Sequence, residues 1–265
     1  MSMRFTILGC GSSTGVPRVG NVWGKCDPAN PKNRRRRCAM LVERFGKSGA
    51  TNVLIDTPPD MREQVLATRV QALDAVLYTH DHADHTHGID DLRGFYFNSR
   101  RRIDVYVNAE TRTTLMQRFG YCFVQPAGSE YPAILNAHEV RPAEPIRIDG
   151  AGGPIEALPI LQEHGDIPSL GFRFGDLAYS PDLSGVPEAS VPQLQGLDIW
   201  IVDALRPVPH RSHLSLGQAL EWIERLAPKR AILTHMTLEL DYDALRRELP
   251  PHVEPAYDGM VLHAD

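Results

Sequence analysis

The chain has 265 residues and a net charge of −5, from 28 lysines and arginines against 33 aspartates and glutamates. Hydrophobic residues make up 42% and charged residues 23%, which excludes a disordered or fibrous chain and fits a globular protein with a sizeable core. No run of 18 apolar residues occurs and the N-terminus lacks a signal-peptide pattern, so we predict no membrane span and no secretion. The acidic balance argues against a general polyanion binder.

The cysteines are too few and too scattered for a disulfide framework: Cys10, Cys26, Cys38 and Cys122. We therefore expect a reducing, cytoplasmic location. No repeat of 20–50 residues and no linker composition divides the chain, so we predict a single domain over residues 1–265 with two similar halves.

The apolar pattern predicts strands and helices in mixed succession. In the first half, strands are predicted at Arg4–Leu8, Ala39–Phe45, Asn52–Asp56, Asp74–Thr79 and Ile103–Val107, with helices at Asp60–Arg69 and Glu110–Phe119. In the second half, strands are predicted at Ile155–Ile160, Leu170–Phe174, Leu177–Ser180, Ile199–Asp203 and Arg230–Thr234, with helices at Leu216–Leu226 and Tyr242–Leu249. This succession implies a layered α/β architecture rather than a strictly alternating parallel sheet.

The most informative motif is a cluster of histidines and aspartates that follows the predicted strand Asp74–Thr79. Its skeleton is His-x-His-x-Asp-His, and its members are His80, His82, Asp84 and His85. Imidazole and carboxylate groups suit zinc, and also manganese or iron. Because a loop that leaves a strand can turn these side chains toward one small volume, the motif predicts a metal site.

Three more ligand-type residues stand at the ends of apolar runs downstream: His164, Asp182 and His235. A single surface histidine is commonly structural, but that interpretation does not account for seven such residues in these positions. We therefore predict that all seven are metal ligands. His87 falls outside the skeleton and is assigned to the surrounding loop.

With these motifs in order over about residues 4–262, the chain resembles the metallo-β-lactamase superfamily. The resemblance implies a four-layer αββα sandwich with two divalent metal ions, Zn or Mn, at one edge of the sheets. The implied ligands form two sets bridged by Asp182: His80, His82 and His164 for one ion, and Asp84, His85 and His235 for the other. It also implies that Asp56 supports a ligand histidine, since a carboxylate there would set the tautomer and ring direction.

Four further segments are similar to the phosphoribosyl cyclic phosphodiesterases of phosphonate metabolism, with ribonuclease Z as a more distant relative: residues 8–17, 33–38, 91–94 and 211–215. The resemblance implies a small phosphorylated substrate, such as a nucleotide, and a homodimer. Those enzymes hold a structural zinc with three cysteines and a histidine, whereas this chain has only Cys26 and Leu238 at the matching places. We expect no structural zinc and free thiols at Cys26 and Cys38, the alternative being a site that these two form with another residue.

The resemblance also suggests how the reaction would proceed. Two cations about 3.5–4 Å apart can share a hydroxide that attacks phosphorus, and Asp84 is assigned a catalytic role beside them. His213 matches the non-ligand histidine of the family and is predicted to contact substrate and to protonate the leaving group. Arg93 is predicted to bind substrate, because a guanidinium suits phosphate geometry. The four arginines of Arg34–Arg37 cannot all face one pocket.

The leading prediction is a metal-dependent phosphodiesterase that acts on small nucleotide-like or cyclic sugar phosphodiesters. An acyl hydrolase for thioesters or lactones at the same dinuclear site is an alternative, and so is a non-catalytic binding protein of the same fold. RNA processing is disfavoured because the chain is acidic and no insertion has the composition of a tRNA-binding arm. No stable nucleic-acid complex is therefore expected.

Overall fold

The computed structural model describes residues 3–264, whose strands form two seven-stranded sheets. In chain order the strands are β1 (Met3–Gly9), β2 (Ala39–Gly46), β3 (Gly49–Ile55), β4 (Ala75–Leu77), β5 (Ile103–Val107), β6 (Leu135–Glu139), β7 (Ile146–Ile148), β8 (Ile155–His164), β9 (Ile167–Phe174), β10 (Leu177–Ser180), β11 (Ile199–Asp203), β12 (Arg230–Thr234), β13 (Val253–Pro255) and β14 (Met260–Ala264). The α-helices are α1 (Met61–Thr68), α2 (Ala83–Thr86), α3 (Arg93–Ser99), α4 (Ala109–Phe123), α5 (Leu216–Leu226) and α6 (Tyr242–Glu248).

Both sheets are mixed, and each has a parallel part and an antiparallel part. The first runs β14-β1-β2-β3-β4-β5-β6 and is antiparallel as far as β3, then parallel. The second runs β13-β12-β11-β10-β9-β8-β7 and is parallel as far as β10, then antiparallel. Two mixed sheets with flanking helices confirm the predicted α/β sandwich.

The central strands β2, β3 and β4 of the first sheet are buried on both faces over most of their length, which explains their continuous apolar runs. Met40 and Val42 of β2 point into the core between the sheets, where the ring centroids of Phe5 and Phe174 lie 5.7 Å apart. Leu41, between them in sequence, points to the opposite face and packs in the cluster that covers α1, α3 and α4. Strand β2 therefore contributes to two cores.

Most predicted elements are present, with ends that differ by a few residues. The strand predicted at Asp74–Thr79 is shorter, since only β4 pairs on both sides before the chain enters the metal-binding motif. Six of the strands and α-helices named above were not predicted: β6, β7, β13, β14, α2 and α3. β7 and β13 have three residues each, too few to show a period, and β6 carries the polar residues of an edge strand. None of the helices within residues 3–264 has the length and apolar character needed to cross a bilayer.

The glycine-rich loop after β1 packs against the arginine run. A Cβ on Gly9 would lie 2.0 Å from the carbonyl oxygen of Arg37, and the Gly11 N–H donates to the carbonyl of Arg36 at 2.8 Å. These glycines therefore allow close packing of two chain segments. The side chains of Arg36 and Arg37 pair with Asp258 and Asp60, respectively, at 3.0 and 2.9 Å, while Arg34 is exposed.

Arg35, the remaining member of the run, is 1% exposed and cross-links two segments that are distant in sequence. Its Nη2 donates to the carbonyl of Leu240 at 2.7 Å and its Nη1 to that of Thr237 at 3.2 Å. The Cys26 thiol donates to the same Leu240 carbonyl at 3.5 Å. The guanidinium thus joins residues 33–35 to residues 237–240.

We expect Arg35→Ala to lower the free energy of unfolding by about 3 kcal/mol, because the Thr237 carbonyl loses the guanidinium and the Leu240 carbonyl keeps only the weaker thiol donor, at about 1–3 kcal/mol for each lost contact. Urea denaturation followed by circular dichroism measures this difference. Arg34→Ala is the matched control and should stay within about 0.5 kcal/mol of the wild type, since its side chain is exposed. Equal stability of the two variants would contradict the cross-linking role.

Candidate metal centre

Ligand-type residues of both sheets meet at one edge of the sandwich. In the second sheet β8, β10, β11 and β12 run in the same direction, so their carboxyl ends lie together. At or just beyond these ends stand His164, Asp182, Asp203 and His235. The first sheet contributes Asp56 after β3 and the motif that starts at His80 after β4. The Leu170 N–H donates to the Thr79 carbonyl at 2.8 Å and connects the two sheets beside the motif.

Three histidines form one group within this cluster. The ring centroid of His80 lies 4.5 Å from that of His82 and 4.9 Å from that of His164. His164 Nε2 and His82 Nδ1 are 3.2 Å apart, and one nitrogen from each of the three rings lies within 4.8 Å of the others. His80 and His164 are buried, whereas His82 is exposed. This group is open to solvent on the His82 side.

Asp182 lies at the centre of the remaining ligand-type side chains. Its Oδ2 is 3.0 Å from His85 Nε2 and 3.1 Å from His235 Nδ1, and its Oδ1 is 3.9 Å from His164 Nε2. Asp84, in the short helix α2, has its Oδ2 3.6 Å from His85 Nε2. The structure therefore brings all seven predicted ligands into one continuous cluster, with Asp182 between its two parts.

Unpaired polar atoms inside the cluster fit a metal ion. Four buried atoms have no hydrogen-bond partner among residues 3–264: His80 Nε2, His85 Nε2, Asp182 Oδ2 and His235 Nδ1. His85 Nε2 and Asp182 Oδ2 are close together but are not aligned as donor and acceptor. A native fold leaves few such atoms unpaired. Histidine nitrogens and carboxylate oxygens are also the donor set that zinc and manganese bind.

Asp56 contacts His85 on the side of the ring that faces away from Asp182. Its Oδ2 is 2.7 Å from His85 Nδ1 and accepts the Thr79 hydroxyl at 2.8 Å, while its Oδ1 accepts the Thr79 N–H at 2.8 Å. With Nδ1 donating to this carboxylate, the lone pair of Nε2 faces the cluster. Asp56 and His235 both have positive φ, 63° and 57°, which for residues other than glycine is a strained conformation typical of functional sites.

The pKa values of the cluster follow from burial and from its carboxylates. Burial lowers the pKa of His164 to about 4 and that of His80 well below its ordinary value, so both rings are neutral at pH 7. Burial alone would also lower the pKa of His85, but Asp182, Asp56 and Asp84 together raise it well above its ordinary value. The carboxylates thus favour positive charge at their centre, a role that a divalent cation can take over.

His213 stands beside the cluster and is oriented by Asp203, an aspartate outside the predicted ligand set. His213 Nδ1 lies 2.7 Å from Asp203 Oδ2 and 3.8 Å from Asp182 Oδ1, and its side chain is 11% exposed. Asp203 is fully buried and also accepts the Leu183 N–H at 3.2 Å. Asp203 ends β11, between two strands whose ends carry predicted ligands, so the strand-end pattern that identified Asp182 and His235 could have identified it too.

Arg93 is the one predicted site residue that the structure does not bring to the cluster. It begins helix α3, and its Nη2 donates to Asp90 Oδ1 at 2.9 Å. Its side chain lines a cleft of about 440 Å³ between α1 and α3, where Met61 and Phe97 also lie. The structure therefore shows no contact that would support the predicted substrate role of Arg93. Three arginines of the 34–37 run likewise have structural partners.

Comparison with known proteins agrees with this fold. Residues 51–236 match the family described as the Beta-lactamase superfamily domain. The crystal structure of a diphosphatase from the PhnP family is 35% identical, with 100% of this chain and 98% of that chain covered and a TM-score of 0.88. Zn²⁺-bound PqqB from Methylobacterium extorquens, at 16% identity, covers 98% of this chain and 99% of its own with a TM-score of 0.74, and so shows the fold alone.

An octanoyltransferase from Porphyromonas gingivalis (strain ATCC BAA-308 / W83) is 32% identical over 99% of this chain. The chain spans 52% of that relative, about half its length.

The protein belongs to the β-lactamase superfamily, whose enzymes of this metal-binding fold are typically hydrolases. Within the superfamily the high similarity to the PhnP-family diphosphatase confirms the predicted resemblance to phosphodiesterases.

Proposed function

We propose that the protein is a metal-dependent phosphodiesterase that acts on small, nucleotide-like or cyclic sugar phosphodiesters, with residues 1–265 forming one catalytic domain. The observation that carries the proposal is the position of His213: its imidazole, 11% exposed and fixed by Asp203, stands directly beside a cluster suited to two divalent cations, Zn or Mn. Phosphodiester hydrolysis needs both a cationic centre for the phosphoryl oxygens and a proton donor for the leaving oxygen.

The proposed ligands are the seven clustered residues, with Asp182 shared between the two sets described above. When bound, the ions would polarise the phosphoryl oxygens and lower the pKa of water at the site. In the hydrolysis a water oxygen becomes bonded to phosphorus, the P–O bond to the leaving group breaks, and the leaving oxygen takes up a proton.

The side chains of the chain divide this work between them. Asp84 is 13% exposed, more than any other carboxylate of the cluster, and is assigned to accept a hydrogen bond from the attacking water. His213 is assigned to take up a proton from the attacking water at Nε2 and to pass it to the leaving oxygen, since its Nδ1 is held by Asp203. Asp203 and Asp56 orient His213 and His85, respectively, without touching the substrate.

Turnover measurements test the proposal. Protein loaded with Mn²⁺ or Zn²⁺ should hydrolyse bis(p-nitrophenyl) phosphate and 2′,3′-cyclic nucleotides, and a chelator should remove the activity. Thioesters and lactones serve as the comparison panel at the same metal loading. Absence of diester hydrolysis by fully metal-loaded protein would refute the proposal.

Acyl hydrolysis is a second candidate, favoured by the octanoyltransferase name of the Porphyromonas gingivalis relative. The chain matches about half of that relative, so the name belongs to a protein about twice as long as this chain. In an acyl hydrolase the leaving thiolate needs no proton, so His213 should be dispensable for thioester turnover. Faster turnover of thioesters than of any phosphodiester would favour this candidate.

A further inference from the structure

A cleft of about 560 Å³ opens beside the exposed side of the histidine cluster. Its walls come from the motif loop and from helix α4, and five residues line it: His82, Ala83, His87, Arg118 and Phe119. Its volume is within the range of about 300–1,000 Å³ that small-molecule sites occupy. His82 belongs both to this cleft and to the metal cluster, so the cleft adjoins the place proposed for the reacting phosphate.

Arg118 brings a positive charge to the cleft that the fold does not neutralise. Its side chain is exposed, and its Nη1 donates to the carbonyl oxygen of Asp81 at 2.8 Å. Among residues 3–264 no carboxylate lies within ion-pair distance of this guanidinium. One N–H is used to orient the group against the motif loop, and the other donors remain available to an anion.

Phe119, the residue at which helix α4 is kinked, gives the cleft an aromatic wall. Its φ and ψ of −132° and 29° are not helical. The Phe119 ring meets the ring of His87 edge to face, with centroids 5.6 Å apart and an interplanar angle of 78°. Two rings next to a free guanidinium match the parts of a nucleotide: a planar base for stacking and a phosphate for the cation.

We propose that this cleft is the substrate subsite for a second phosphate and its nucleoside, which makes dinucleoside diphosphates the preferred substrate class. Arg118 pairs with the phosphate next to the scissile one, and Phe119 with His87 receives the base. The proposal rests on the proposed phosphodiesterase function and adds to it the group that is recognised beyond the reacting phosphorus. It also gives His87, which the metal motif left unassigned, a place in substrate binding.

Two substrates that differ in the second phosphate distinguish binding of that phosphate by Arg118 from a general effect of Arg118 on activity. P1,P2-di(adenosine) diphosphate contains the second phosphate and the nucleosides, whereas bis(p-nitrophenyl) phosphate contains neither. Arg118→Gln keeps an amide donor but removes the charge, and Arg112→Gln, an exposed arginine on the same helix outside the cleft, is the matched control. Metal content of each variant is measured alongside kcat and KM, and binding of ADP is measured by calorimetry.

Arg118→Gln should raise KM for the dinucleotide and weaken ADP binding by about 10- to 100-fold, the effect of losing one charge-assisted contact. KM for bis(p-nitrophenyl) phosphate and the metal content should stay within about two-fold of the wild type, as all values should for Arg112→Gln. Equal losses on both substrates would show that Arg118 acts through the Asp81 loop and would overturn the subsite, as would no loss on either. These results require diester turnover by the wild type, whose absence instead refutes the proposed function.

Discussion

Asp182→Asn is expected to lower phosphodiester turnover by more than about 100-fold and to reduce the bound metal. The factor of 100 is the upper end for removing an outer partner of a ligand, and Asp182 lies among the proposed ligands themselves. Its Oδ2 is 3.0 Å from His85 Nε2 and 3.1 Å from His235 Nδ1, so one carboxylate serves both parts of the cluster. An amide at this position carries no negative charge to attract a cation.

Metal stoichiometry by elemental analysis and turnover of bis(p-nitrophenyl) phosphate together check this expectation. Asp149→Asn, at an aspartate that is 74% exposed, is the control and should change neither quantity. Asp182→Asn protein that retains its full metal content and its activity would show that Asp182 is not a shared ligand.

His213→Ala is expected to lower turnover mainly for substrates whose leaving group must be protonated. A missing general acid costs about 10²- to 10⁴-fold in rate, and this loss should appear with 2′,3′-cyclic nucleotides, whose leaving group is an alkoxide. Nitrophenolate is a stable anion that leaves without protonation, so turnover of bis(p-nitrophenyl) phosphate should fall much less. Asp203→Asn should show the same selectivity with a smaller loss, because Asp203 only orients the imidazole.

The metal content of His213→Ala decides between two roles for this residue. His213 also lies in a group with His164 and Asp182 whose ligand atoms are within 4.8 Å of one another. Full metal content with a selective loss on alkoxide leaving groups supports proton donation, whereas loss of metal with equal losses on both substrates would make His213 a ligand. His138→Ala is the matched control, since His138 also pairs with an aspartate, Asp104, but lies at the sheet edge on β6.

The local patterns of the chain were sufficient to predict most of the candidate site. Four ligand-type residues occur within six positions directly after a predicted strand, a density that is easily recognised in the sequence. His164, Asp182 and His235 each follow an apolar run that predicts a strand. The family resemblance added the division of these residues into two sets. The predicted sandwich is confirmed for the same reason, since strands buried on both faces have long apolar runs.

Arg93 and Arg118 show what such patterns leave undetermined. Arg93 occupies a recognisable motif, yet its side chain is paired with Asp90 and faces a different cleft. Arg118 occupies no motif, and it reaches the site because helix α4 passes beside a loop 37 positions earlier in the chain. Which way a surface side chain points depends on the packing of the element that carries it, and one helical period contains residues on every side.

By itself, the sequence determined the chemistry of this protein: the types of ligand, their places at strand ends and the layered fold that collects them. Only the tertiary structure decided that Asp203 holds His213, that Arg35 joins two distant segments and that the cleft beside His82 carries an unpaired cation. The reason is physical. A ligand motif is written in neighbouring residues and strand periodicity, whereas each of these contacts joins side chains from separate elements, and their distance is set by how the sheets and helices pack.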